Sequence, residues 1–323
     1  MRAAAILGLG CSPKDLKPFR EVHTRTGSPG AGTIDWRMGM PAAGDQVDVI
    51  LLLGGDGTIH RHLGQLVRLG LPVLVVPAGS GNDFARALGL RRVRDSLNAW
   101  QKFCDGAGNV RTIDLGIINP LGIGNAPAPQ ETHPLAAGAS RYFCCVAGVG
   151  LDGEVARRAN QLPRWLRGHG GYVLSLAPTI FTFAPLPLKL STPPEASLNG
   201  EGQEGKDQVQ GWTTRSDRPT ILAAFANAPV YGGGMKIAPQ AKMDDGLLDV
   251  CVVGGVGPLK LFCMFPTVYS GNHLNIKEVE YFHAGRVRVE TEHPLEVYAD
   301  GEYVCHTPVE VAAQATALKV VTR

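Results

Sequence analysis

With 323 residues and 44% hydrophobic composition the chain is long enough for two packed cores, while a charged fraction of 19% and a formal net charge of +2 give no overall drive toward nucleic acid. Its 41 glycines and 23 prolines demand many turns, which disfavours a plain helical bundle. Seven cysteines, none in a C-x-x-C pair and most in apolar runs, read as reduced, buried thiols of a cytoplasmic protein.

Met1 to Cys11 has too short an apolar run and too thin a basic start for a signal peptide, so it reads as a first buried strand. Val47 to Leu53 is a continuous apolar run ending in Gly54-Gly55-Asp56-Gly57-Thr58, and a helix with apolar Leu63, Leu66, Val67 and Leu69 follows. Pro72 to Val76 is a second buried strand, ending in Pro77-Ala78-Gly79-Ser80-Gly81-Asn82-Asp83 before a short helix from Phe84 to Leu88. This rhythm predicts a parallel sheet with both glycine-rich loops at strand C-termini, where such sheets bind ligands.

After about Ile118 the pattern changes. Gly122 to Ser140 is a loop, followed by strands at Arg141–Val149, Thr220–Ala226, Leu247–Val253, Arg286–Glu290 and Leu295–Ala299, and by helices near Glu154–Gln161 and Gly171–Leu176. Turn-separated strands of this kind predict an all-β sandwich. Ser191 to Pro219 reads as a polar surface insertion, and Tyr172 to Leu188, short and holding three prolines, does not read as a membrane span.

Consecutive glycines leave backbone N–H groups unobstructed for a phosphate chain, and the following helix adds its N-terminal dipole. Thr58 is suited to cap that helix, and Asp56 to hold Mg²⁺ directly or through water. Asn82 or Asp83 suits the N-cap of the next helix. Two such loops on successive strands point to a shared nucleotide site. Gly148 to Gly153 matches G-x-G-x-x-G, but no acid lies between Val155 and Pro194 to bind a ribose, so the dinucleotide reading fails. Gly200 to Lys206 resembles a P-loop without its Ser/Thr or its strand. Asp244, Asp245 and Asp249 suit either a hard cation or an Asp-Gly turn, Asp300-Gly301-Glu302 suits a hairpin turn, and His60 and His62 read as surface residues. Between Arg157 and Gly171, arginines 157, 158, 164 and 167 with Leu162, Trp165 and Leu166 suit either an anionic membrane surface or a solvated helix with Trp165 in the core.

In order and spacing, Gly54–Thr58, Pro77–Arg86, Ile113–Gly116, Gly148–Asp152, Asn227, Gly232–Gly234, Asp245–Val250 and Asp300–Glu302 resemble the diacylglycerol kinase catalytic-domain family, which includes bacterial lipid kinases and sphingosine kinases. The resemblance implies an α/β N-terminal domain over residues 1–117, with an NAD kinase-like parallel sheet to which 312–323 returns, and a C-terminal all-β sandwich over 118–311 that binds lipid. It implies ATP between the two, in contact with Gly54, Gly55, Gly57, Thr58, Gly79, Ser80, Gly81, Asn82, Asp83 and Glu302. Asp300 becomes the base, with Asp56 beside it, and Mg²⁺ is held by Lys242, Asp245 and Leu247. The implied activity is transfer of the ATP γ-phosphate to a hydroxyl of a diacylglycerol-like lipid by a cytoplasmic enzyme that visits the membrane. A homodimer is left open. The chain departs from the family in Gly8-Leu9-Gly10-Cys11-Ser12-Pro13, where Asn-Pro-x-Ser-Gly is usual, and in His60-Arg61, where Asn-Glu is usual. An NAD kinase-like enzyme shares the first loop but carries Asn-Glu where this chain has Asn227-Ala228. A non-catalytic lipid-binding regulator is disfavoured by intact Asp56 and Asp300.

Overall fold

The structure, a computed structural model, describes residues 1–22, 34–122, 140–161, 171–194 and 211–323. Its N-terminal part is a parallel sheet in the order β2 (Asp35–Met38), β1 (Arg2–Leu7), β3 (Val49–Gly54), β4 (Val73–Pro77). Every residue of β3 and β4 is buried, which is why these segments read as unbroken apolar runs: helices cover the sheet, and a strand covered on both faces has no polar side. The short helix α1 (Lys17–Arg20) precedes β2, and three more complete this part: α2 (Asp56–Leu69), α3 (Asp83–Ala87) and α4 (Val93–Cys104).

Two long antiparallel strands join this layer to the rest. β5 (Val110–Pro120) and β15 (Val309–Val321) pair along most of their length, and the end of β15 lies parallel to β4 with Val320 opposite Val73. The expected junctions at 117–118 and 311–312 therefore fall inside strands.

The second part is antiparallel. β6 (Arg141–Phe143), β7 (Val146–Gly150), β8 (Leu186–Thr192), β9 (Thr213–Ala226), β10 (Leu248–Gly254), β11 (Val279–Ala284), β12 (Arg286–Glu290), β13 (Glu296–Ala299) and β14 (Glu302–His306) form a sandwich, and helices α5 (Leu151–Gln161), α6 (Gly171–Thr182) and α7 (Pro258–Met264) lie outside it. Along β9, Ala223 and Phe225 enter the sandwich interior, while Leu222, Ala224 and Ala226 face the cluster that includes Leu176 and Ile180 of α6. Successive side chains of a strand point to opposite faces, so β9 is buried on both sides by different neighbours.

The structure corrects three expectations. The polar stretch 191–219 is not wholly an insertion: Leu186–Thr192 pairs with Thr213–Thr220, and only part of the alternation is buried, which gave it a loop-like composition. The Gly171–Leu176 helix runs on to Thr182 with Pro178 inside it. Cys144, Cys145 and Cys251 are buried as predicted, but Cys263 is exposed. No helix among the described residues is long and apolar enough to cross a membrane.

Candidate active site

The two glycine-rich loops leave β3 and β4 side by side and cross. A methyl group on Gly79 would stand 2.4 Å from the Cα of Gly55, and one on Gly55 would stand 2.9 Å from the Cα of Gly79. Neither glycine has a positive φ, nor do Gly54, Gly57 and Gly81. Their absent side chains answer a close approach, not the left-handed conformation that tight turns require. Gly8, at the end of β1, packs against Thr58 in the same way, with its amide on the carbonyl of Leu53 at 2.7 Å. The atypical 8–13 segment is thus a turn against the first loop.

The cap of α2 is Gly55, not Thr58, which lies inside the first turn with its hydroxyl beside Gly8 and Gly54. The cap of α3 is Asn82, as predicted for one of the two candidates. Its φ is +54°, and its side chain turns back to its own loop, accepting the Gly79 N–H at 2.8 Å and donating to the Gly79 carbonyl at 2.5 Å. Ser80 is exposed at the rim.

Asp56 stitches the loops together, accepting the N–H of Asp83 at 2.9 Å and of Phe84 at 3.1 Å. Burial, with the charges of Asp83 and Asp300 in support and those two amides opposing, pushes its carboxyl up to about 6. Asp83 reaches the other way. It accepts the N–H of Gly233 at 2.7 Å, from a turn whose three glycines, Gly232 to Gly234, all have positive φ, and it pairs with Arg86. Burial raises its carboxyl despite these partners.

Asp300 and Gly301 form the two-residue turn between β13 and β14, both with positive φ. The expected single strand 141–149 breaks at Cys144 and Cys145, and the reason is Asp300. Its Oδ2 accepts the N–H of Cys144 at 2.8 Å, and its Oδ1 accepts those of Cys145 at 2.8 Å and Val146 at 3.3 Å. The side chain of Asp300 has no exposed surface. Burial alone would raise its carboxyl, but His60 and the amides outweigh it and hold the group below the usual carboxylate range. His60, expected at the surface, is a correction: its Nδ1 lies 3.1 Å from Asp300 Oδ2, and 15% of its side chain is exposed. Two residues beyond Asp300, the Glu302 carboxylate stands 3.0 Å from where a methyl group on Gly57 would lie. The structure thus gathers Asp56, Asp83, Asp300 and Glu302 around the two loops.

Lys242, Asp245 and Leu247 lie elsewhere, on the turn before β10. Asp114, in β5, clamps that turn: its Oδ2 accepts the N–H of Gly246 at 2.7 Å, its Oδ1 that of Thr316 in β15 at 2.8 Å, and its own N–H meets the carbonyl of Met243 at 2.7 Å. Its carbonyl receives the side chain of buried Asn227 at 3.0 Å. Asp245 is exposed, with Oδ1 accepting the Leu247 N–H at 3.1 Å, and nearby Asp249 keeps a buried Oδ2 with no hydrogen-bond partner. An exposed carboxylate, backbone carbonyls and an orphaned carboxylate oxygen are a donor set that fits a hard cation.

An apolar cavity of ≈ 60 Å³ lies between the sandwich and its helices, lined among others by Leu176, Ile180, Leu261, Met264, Tyr231 and Met235, with buried Asp152 in its wall. Tyr231 and Met235 flank the glycine turn that holds Asp83, so one segment borders both the cavity and the glycine loops. Sequence reasoning missed the cavity because its lining comes from residues 151 to 279, each ordinary core alone. The segment 162–170, with Arg164, Trp165 and Arg167, lies outside the described residues, as does the P-loop-like 200–206.

Residues 37–118 match the sequence model of the diacylglycerol kinase catalytic domain, and residues 145–322 match that of the YegS C-terminal NAD kinase beta sandwich-like domain. A diacylglycerol kinase of Mycobacterium tuberculosis is 33% identical over 273 residues, 84% of this chain and 76% of that protein. A diacylglycerol kinase of Bacillus subtilis is 27% identical over 264 residues, 81% of this chain and 73% of that protein. A crystal structure of a diacylglycerol kinase from Bacillus anthracis is similar in fold, with a TM-score of 0.59 and 18% identity, covering 100% of this chain and 97% of that one.

Proposed function

The chain belongs to the diacylglycerol kinase catalytic-domain family of lipid kinases, and from that premise we propose that it transfers the γ-phosphate of ATP to the hydroxyl of a diacylglycerol-like lipid. The observation that carries this reading is the Tyr231–Met235 segment, which borders the apolar cavity and through Gly233 holds Asp83 of the nucleotide loops. An acyl chain in the cavity would thereby sit beside the phosphate cradle.

In this reading the backbone at Gly54 to Thr58 and Gly79 to Asp83 receives the triphosphate, with the first turn of α2 facing it. Phosphoryl transfer is loose, so positioning and charge stabilisation account for most of the rate. Asp56, Asp83 and Glu302 accumulate negative charge where phosphates arrive, and a nucleotide-borne Mg²⁺ supplies the balancing charge when bound. A separate Mg²⁺ on the carbonyls of Lys242 and Leu247 and the carboxylate of Asp245 would brace the turn that Asp114 clamps. Asp300 places a fixed, buried negative charge behind His60 at the edge of this cradle.

The cavity is too small for an acyl chain until α6 and α7 part. On their outer sides Phe181, Leu259 and Phe262 are 52%, 71% and 49% exposed, and the rings of Phe181 and Phe262 stand 5.9 Å apart. Such a cluster suits insertion into the interfacial region of a bilayer, where the lipid would be collected.

The test is radiolabelled ATP with a panel of diacylglycerol, phosphatidylglycerol, ceramide and sphingoid lipids in mixed micelles, and NAD in parallel. Label in diacylglycerol supports the reading. Label only in NAD, or in no acceptor, overturns it.

A further inference from the structure

A lipid hydroxyl cannot reach Asp300. Both carboxylate oxygens are occupied by backbone amides from the break between β6 and β7, and no part of the side chain is exposed. Besides the Cys144 thiol, at 3.3 Å, it meets the side chain of His60. His60 lies one helical turn after Asp56, on the same side of α2, and 15% of its side chain is exposed. An ionised carboxylate only accepts, so the ring nitrogen facing it, Nδ1, must carry a proton. That leaves Nε2 with a lone pair.

We propose that Nε2 of His60 is the atom that takes the proton from the lipid hydroxyl, with Asp300 as the positioning residue that fixes its tautomer; this rests on the phosphotransfer reading above. The hydroxyl O–H bond breaks as its proton passes to Nε2. The oxygen forms a bond to the γ-phosphorus, and the bond from phosphorus to the β–γ bridging oxygen breaks, its electron pair leaving on ADP. Asp300 stabilises the imidazolium until the ring returns the proton to water. A buried anion behind a histidine is the arrangement by which other hydroxyls are activated in nucleophilic catalysis. The family's usual asparagine at this helix position has no atom that takes up a proton at neutral pH.

The titratable groups around this pair are the Cys144 thiol, which meets Asp300 and whose ionisation burial suppresses, Asp56 one turn before His60, and Glu302 beside Gly57. Burial pushes the Asp56 carboxyl up to about 6, so the acid limb of a pH–rate profile is assigned to His60 only if it changes when His60 is replaced.

The experiment uses the full chain with dioctanoylglycerol and radiolabelled ATP. A wild type that phosphorylates no lipid sinks the function proposed above and this inference with it. With an active wild type, His60→Asn is expected to lower kcat by at least about 10²-fold, with the KM for ATP changed less than about threefold, and to shift the acid limb. His60→Ala is expected to fall equally and to recover in part with added imidazole, a response that a merely structural role would not give. A folded His60→Asn that keeps more than a tenth of wild-type kcat, or an unmoved acid limb, overturns the proposal and leaves the lipid kinase reading standing. Should both variants fail to fold, ring ¹⁵N shifts of the wild type decide: a protonated Nδ1 with a bare Nε2 supports it, and the opposite tautomer overturns it.

Discussion

The α-carbons of Gly55 and Gly79 meet with no room for a side chain on either, so that the loops after β3 and β4 brace one another. Gly79→Ala is expected to push the loops apart and lower the melting temperature, because the obstructing atoms are backbone and cannot rotate away. Gly57→Ala meets only the flexible end of Glu302 at 3.0 Å, so it should fold and lose ATP affinity at least about tenfold. Calorimetry and nucleotide titration of both variants check this. A Gly79→Ala protein that melts like wild type refutes the loop-bracing account.

The raised carboxyl of Asp56 makes the nucleotide-free protein pH-sensitive. A native carboxyl near 6 against an ordinary 3.8 binds more protons than the unfolded chain between those values, so its contribution is present below about 4 and lost as pH rises through about 6. The lowered Asp300 acts in the opposite sense, its contribution being lost only as pH falls below the ordinary carboxylate range, so it does not mask the effect. Stability should fall with pH across that window by up to about 1.4 kcal/mol per pH unit. Denaturant unfolding from pH 4.5 to 7 measures it. The slope should flatten in Asp56→Asn, and equal slopes would sink the assignment.

Magnesium at the turn before β10 should act through folding. Mg²⁺ is expected to raise the melting temperature of the wild type in the absence of nucleotide, and Asp245→Ala to abolish that rise while ATP affinity stays within about twofold. Scans with Mg²⁺ and with EDTA decide. A rise that survives in the variant places the ion elsewhere.

The exposed rings on α6 and α7 set a prediction about partition. Replacing Phe181 and Phe262 together with serine should cut sedimentation with anionic vesicles about tenfold, and activity on bilayer diacylglycerol with it, while activity on monomeric dioctanoylglycerol stays within about twofold. Equal loss on both substrates would mean that the pair supports the cavity, not the membrane.

The parallel sheet and the loops were legible because their signals are local: a buried strand followed at once by glycines. The rest of the site is built from long-range meetings. His60 read as a surface residue because its partner is 240 positions away, and no periodicity on α2 announces it. The break at Cys144 and Cys145 was hidden in an apolar run because it is a change in where amides point, not in composition. Asp114 stood out only as part of a resemblance, yet its carboxylate and backbone reach a turn, a strand and a buried asparagine. The β8–β9 pair was lost to its own polar, solvent-facing residues.

The placement of β15 beside β4 has a consequence for synthesis. On the ribosome, β1, β3 and β4 emerge before the sandwich, but the neighbour that closes the open side of β4 follows it. Throughout translation of the sandwich, the parallel layer presents an unpaired apolar edge to its surroundings, a condition that favours misassociation and the attention of chaperones. A chain truncated before Val309 would leave that edge open for good, however sound its glycine loops.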